Sequence, residues 1–156
     1  MSGRYVAVIG AAEATPEEAE AAAEVGRLLA ESGAVLVCGG LGGVMDAAAR
    51  GCAAAGGTSV GILPGDDRTS ASPSLSVAIS TGLGEARNAL VVRAADAVIA
   101  IGGGFGTLSE IGLALKMGRP VVGLRTWELP APAAETVRRA ASAAEAVEAA
   151  MTRTGS

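Results

Sequence analysis

Short apolar runs, each closed by glycine and followed by a helical pattern, recur along this chain, and that alternation leaves little choice of architecture. Tyr5-Val6-Ala7-Val8-Ile9 ends at Gly10, Val35-Leu36-Val37-Cys38 at Gly39, and Ala97-Val98-Ile99-Ala100-Ile101 at Gly102. Runs that are apolar at every position suit strands of a parallel sheet, which helices cover on both sides. Ser59 to Leu63 and Val121 to Leu124 are further strands, with short edge strands at Ser76 to Ile79 and Thr136 to Ala140. Between them, Thr15-Pro16-Glu17-Glu18 opens a helix as a capping box with proline in the first turn, and Gly33 ends it. Helices are also expected from about Val44 to Ala55, Glu85 to Ala95 and Thr107 to Met117, and from the capping box at Ser142-Ala143-Ala144-Glu145 to about Met151. Strands alternating with helices at this spacing give an α/β, Rossmann-like, doubly wound and mainly parallel sheet with helices on both faces. The 156 residues are read as one domain, 1–156.

Half the residues are hydrophobic but only 2% aromatic, with 23 glycines, so the core is built from small side chains on closely packed backbones. Charged residues are 18%, below the usual 25% or so, which hints at surface buried between subunits. The segment from Glu85 to Ala95 adds to that hint. It is apolar nearly all round, so one side faces the sheet and the other a second subunit, through Leu113 or Met117 of the next helix, unless the monomer itself buries both.

Several functions are excluded. The absence of histidine removes Ser-His-Asp and Cys-His nucleophiles and most catalytic zinc sites. Two cysteines without CxxC spacing, Cys38 and Cys52, indicate neither a disulfide framework nor a metal site. A net charge of −4 argues against a nucleic-acid partner. No apolar run is long enough to span a bilayer, and no signal peptide precedes the first strand, so a soluble cytoplasmic protein is expected. GxGxxG after the first strand and GxxxxGK[ST] are both missing.

In a parallel sheet the strand C-termini share one rim, so Gly10-Ala11, Gly39 to Gly43 and Gly102 to Gly106 converge there. Each turn could simply be tight, but three on one rim favour a ligand site, with the crevice between Gly10 and Gly102. Gly102-Gly103-Gly104-Phe105-Gly106-Thr107 leads into a helix N-terminus, which suits a phosphate. Arg87 is the candidate cation, with a surface ion pair as its alternative role. Glu110 has two readings as well: a catalytic carboxylate, or the far end of a capping box begun by Thr107.

The segment Gly102 to Glu110 resembles the PGGxGTxxE motif of the LOG family of the SLOG superfamily, often labelled lysine decarboxylase-like. Gly39-Gly40-Leu41-Gly42-Gly43-Val44-Met45 resembles that family's first glycine-rich loop, and Arg87 falls where the family has the arginine of an Arg-Lys pair. The match in order and spacing runs from about Tyr5 to Leu124. The resemblance implies a Rossmann-like protein, usually at least dimeric, related to phosphoribohydrolases that cleave nucleoside 5′-monophosphates into base and ribose 5-phosphate. It would make Glu110 the catalytic carboxylate and Arg87 its orienting or phosphate-holding partner. Gly103, Gly104, Gly106 and Thr107 would cradle the phosphate, with Gly10, Ala11, Gly39, Gly40, Gly42, Gly43, Met45, Asn88 and Gly102 around the ligand.

Two positions depart from the motif: Gly102 replaces its proline and Asn88 its lysine. A triple-glycine loop with Arg-Asn is similar to the branch of molybdenum cofactor carrier proteins, which bind a phosphate-bearing pterin without turning it over. The expected ligand is therefore a nucleoside monophosphate or a molybdopterin-type molecule, with no cofactor required and no metal. The expected assembly is a homodimer or higher homo-oligomer. Decarboxylation is not expected, because the one lysine, Lys116, lies late in a helix, away from the glycine rim. A single-stranded DNA binder on the same fold is a weak third reading.

Overall fold

β-Branched and leucine-rich runs bounded by glycine form the strands of a computed structural model that describes residues 3–153. The strands are β1 (Tyr5–Gly10), β2 (Val35–Cys38), β3 (Thr58–Leu63), β4 (Val77–Ser80), β5 (Ala97–Ile101), β6 (Val121–Leu124) and β7 (Val137–Arg139). They make one sheet in the order β4-β3-β2-β1-β5-β6-β7, with every neighbouring pair parallel. The helices are α1 (Pro16–Glu31), α2 (Val44–Ala54), α3 (Arg87–Arg93), α4 (Phe105–Lys116) and α5 (Ala143–Met151). Among the described residues no helix is long and apolar enough to cross a membrane.

Alternation along the central strands divides the core into two layers. Val6 and Val8 of β1, with Ile99 and Ile101 of β5, pack under α1, α2 and α5. Ala7 and Ile9, with Val98 and Ala100, pack under α3 and α4. The small residues have a specific use between α1 and α2. A Cβ on Gly26 would lie 2.0 Å from the carbonyl oxygen of Ala48, and one on Gly51 would lie 1.9 Å from that of Ala23. The two backbones touch where only hydrogen atoms fit.

The winding reverses between β1 and β5, which pair from Val6↔Ala97 to Gly10↔Ile101. The chain leaves β1 for α1 on one face and β5 for α4 on the other. The two exits part and leave an open crevice at the strand C-termini. Gly10 and Gly102 flank it, as the glycine pattern implies.

Two helix starts differ from the sequence reading. The expected helix from Glu85 is a 3-10 turn over Gly84–Ala86 followed by α3 from Arg87, which ends at Arg93 rather than Ala95. Gly82 and Gly84 both have positive φ, and their N–H groups donate to Gly65 O and Pro64 O, pinning the entry. The helix expected from Thr107 begins at Phe105 instead, with Gly104 at the cap position. The glycine penalty of about 1 kcal/mol is local, and the packing of Ile111 and Ala114 on the sheet overrides it. The Thr15 cap forms, its Oγ1 accepting from Glu18 N at 3.2 Å. The Glu18 carboxylate does not return the bond and instead lies against Gly102, where a Cβ would meet it at 2.6 Å.

Candidate functional site

Positive φ at Gly102 (55°) and Gly103 (117°) turns the chain sharply out of β5, a conformation open to glycine at little cost. A Cβ on Gly103 would strike the Thr107 side chain at 2.5 Å. The turn aims the N-terminus of α4, with its unpaired N–H groups, into the crevice. Here lies a cavity of ≈ 520 Å³ lined by Gly104, Gly106 and Thr107 from α4 and its cap, Gly10 and Ala11 from the exit of β1, and Met45 from α2. Arg87, Asn88 and Glu110 are the buried polar side chains that join them in the lining.

The other glycines of the sequence reading shape the cavity from behind. Gly39 makes room for Arg87, because a Cβ there would meet Met45 Sδ at 2.7 Å and the guanidinium at 2.8 Å. Gly40 packs on Leu63, Gly43 caps α2 against the Ala11 carbonyl, and a Cβ on Gly42 would lie 3.5 Å from the carbonyl oxygen of Ala12. Gly102 and Gly103 form the turn itself.

Six lining residues were not singled out from the sequence: Ala12, Glu13, Leu41, Pro64, Gly84 and Glu85. Ala12, Glu13, Leu41 and Pro64 follow strand ends, the one signal that could have found them. Gly84 and Glu85 reach the rim only because the 3-10 turn folds back over Pro64.

Arg87 decides the chemistry of the site. It is only 8% exposed, pairs with no carboxylate among the described residues, and its Nε–H has no acceptor. The surface ion pair considered for it is not formed among the described residues. Its one side-chain hydrogen bond runs from Nη1 to Asn88 Oδ1. A buried, unpaired guanidinium is costly, and an anionic ligand is the partner that would relieve it.

Glu110 is 7% exposed, and burial pushes its carboxyl up to about 7, with nearby Arg87 pulling the other way. Because α4 starts at Phe105, Glu110 stands a turn too far along to cap it, and the Thr107 capping box is not formed. The carboxyl faces the cavity without a hydrogen-bond partner among the described residues. Cys38, beneath the same rim, is pushed up to about 11 by burial and stays an unreactive thiol at neutral pH.

Comparison with known proteins gives three close likenesses and a family. The sequence profile of the SLOG cluster4 family matches residues 3–153. An uncharacterized protein of Archaeoglobus fulgidus is 44% identical over 139 residues, 83% of this chain and 91% of that one. Among solved structures, the molybdenum cofactor binding protein from the phototrophic bacterium Rippkaea orientalis superposes with a TM-score of 0.90 at 39% identity, over 95% of each chain. The molybdenum cofactor carrier protein from Chlamydomonas reinhardtii gives 0.80 at 34% identity, over 94% of this chain and 95% of that one.

Proposed function

This chain belongs to the SLOG cluster4 family, and on that premise we propose that it holds a small phosphate-bearing ligand, a molybdopterin-type pterin foremost, as a carrier that does not turn it over. The observation that supports this reading is the unpaired, buried Arg87 beside the N-terminus of α4 in a cavity of ≈ 520 Å³. That volume lies within the range of small-molecule sites. The carrier proteins of similar structure are named for the same class of ligand.

The energetics fit a two-part ligand. A partly buried helix end contributes up to about 2 kcal/mol and a charge-assisted bond from arginine roughly 1.5–3 kcal/mol. Micromolar affinity needs about 8 kcal/mol. The remaining ~3–5 kcal/mol requires some 120–200 Å² of apolar contact at about 25 cal/mol per Å². Leu41, Met45 and Pro64 offer that contact to a ring. Phosphate alone therefore binds weakly, and a phosphate attached to a heterocycle binds well. Glu13 and Glu85 at the mouth, with the net charge of −4, disfavour a polyanion such as nucleic acid.

A second reading has one observation in its favour. Glu110 is a carboxyl titrating near neutrality, freed from any capping duty, in the same cavity as Arg87. Such a group can assist water at a ribosyl carbon, as a phosphoribohydrolase requires. Incubation with AMP and GMP separates the two. Binding that needs the phosphate, with no base released, supports the carrier. Free base that disappears in Glu110→Ala supports the hydrolase.

The protein is further proposed to work as a homodimer or higher homo-oligomer. The exposed large apolar side chains among the described residues are Val77, Ile79, Leu83, Leu90 and Phe105. All lie on β4, on the approach to α3, on α3 or at the start of α4, the elements of one face of the sheet.

A further inference from the structure

Arg87 is held by a neighbour whose own orientation is fixed by hydrogen-bond chemistry. The Ser109 hydroxyl donates its single hydrogen to the carbonyl of Gly106, at 2.7 Å. It must therefore accept from Asn88, and does so from Nδ2 at 3.3 Å. With Nδ2 committed to Ser109, the Asn88 oxygen faces the other way and accepts from Nη1 of Arg87. The chain runs unbroken from the first turn of α4 to the guanidinium: Gly106, Ser109, Asn88, Arg87. Asn88 is 8% exposed, so water competes little for its bond with Arg87, while the bond from Ser109 to Gly106 lies at the exposed end of the chain.

The order of groups matters more than their number. A carboxamide holds a guanidinium in place yet leaves its charge uncompensated, whereas a carboxylate in the same position would neutralise it. A carboxylate would also turn an acceptor toward Ser109 Oγ, whose hydrogen is already given to Gly106.

We infer that Asn88 is a positioning residue, a neutral anchor that fixes Arg87 relative to the α4 N-terminus so that both meet one phosphate group while the full positive charge stays available to it. This rests on the phosphate-binding reading above and adds to it which residue sets the strength of the anion seat.

The test uses GMP as probe, by calorimetric titration of the full chain carrying Asn88→Asp, Ser109→Ala, Arg87→Gln, and Arg87→Gln with Asn88→Asp together. Asn88→Asp is nearly isosteric and is expected to weaken GMP binding at least tenfold. Ser109→Ala loosens the anchor without adding charge and should weaken it several-fold. In the Arg87→Gln background, Asn88→Asp should cause a clearly smaller loss, because only the direct repulsion between its carboxylate and the phosphate remains. Equal loss in both backgrounds, or unchanged affinity in Asn88→Asp, overturns the inference. Arg87→Gln that binds GMP as well as the wild type overturns the phosphate seat itself, a separate result.

A second measurement needs no ligand. The Nη–H signals of Arg87 in nitrogen-resolved NMR should be distinct in the wild type and coalesce in Asn88→Ala. Signals that stay distinct in that variant contradict the anchoring role.

Discussion

Glu110 shows how one buried side chain ties stability to the chemistry of the site. Its carboxyl is raised from an ordinary 4.5 to about 7, so between those values the folded state binds more protons than the unfolded one. Stability contributed by the neutral form is therefore lost as the pH rises through that window, and the charged form is fully penalised above it. The shift corresponds to about 3 kcal/mol. Glu110→Gln, which keeps the shape and removes the charge, should be more stable than the wild type at pH 8 by roughly that amount. At pH 4.5 the difference should be near zero. Urea unfolding at both pH values checks this, and equal stabilities at pH 8 would mean the carboxyl is well solvated.

The same scale shows what single residues reveal before folding. Arg87 stands out in sequence because it interrupts an otherwise apolar helical pattern and Glu110 because it closes the glycine-rich motif, and both line the cavity. Gly39 and Gly102 stand out too, but their need for a missing Cβ comes from Arg87 and Met45 in one case and Glu18 in the other. Arg87 and Glu18 are distant in sequence from those glycines, so a direct ligand contact and a backing role look alike there. Glu85 carries no local signal and Glu13 only its place after a strand end, because the direction of a loop side chain depends on the path of the whole loop.

Elements were legible where the pattern is long and repetitive. The central strands and α1, α2 and α5 fall close to where periodicity and capping residues put them, since each buries an apolar stripe on the sheet. The starts of α3 and α4 were not, because glycine carries opposite signals there: poor inside a helix, yet suited to a sharp approach into one. The packing of α1 on α2 gives a quantitative consequence. In Gly51→Ala the new methyl would sit 1.9 Å from the Ala23 carbonyl oxygen, so the helices must separate. Overpacking of this kind costs about 1–3 kcal/mol or somewhat more. Thermal unfolding should show a midpoint lowered by roughly 3–10 °C for a chain of this size. An unchanged midpoint would mean the two helices are not in contact at that point.

For the whole molecule, the uneven dress of the sheet is the main fact. Three helices cover one face and two cover the other, and the second face carries the exposed apolar side chains. Leu90 on α3 is 40% exposed, with its side of the short helix toward solvent in a single chain. The proposed homo-oligomer would bury exposed apolar side chains of this kind. Light scattering at micromolar concentration should find a dimer or larger species for the wild type, and Leu90→Asp should shift it toward the monomer. A monomeric wild type at 15.1 kDa would remove the oligomer from the account. The parallel sheet and its switch point follow from the strand–helix alternation alone, whereas the exposure of Val77 and Ile79 appears only once β4 is placed at the edge.

One cavity carries the proposal that Arg87 and the start of α4 receive the same phosphate. Titrating the protein with GMP and with guanosine, while following release of free guanine, tests it most directly. The prediction is that GMP binds at least tenfold more tightly than guanosine, that Arg87→Gln erases the difference, and that no guanine appears. Equal affinity for the two ligands, or a preference for GMP that survives Arg87→Gln, would contradict it.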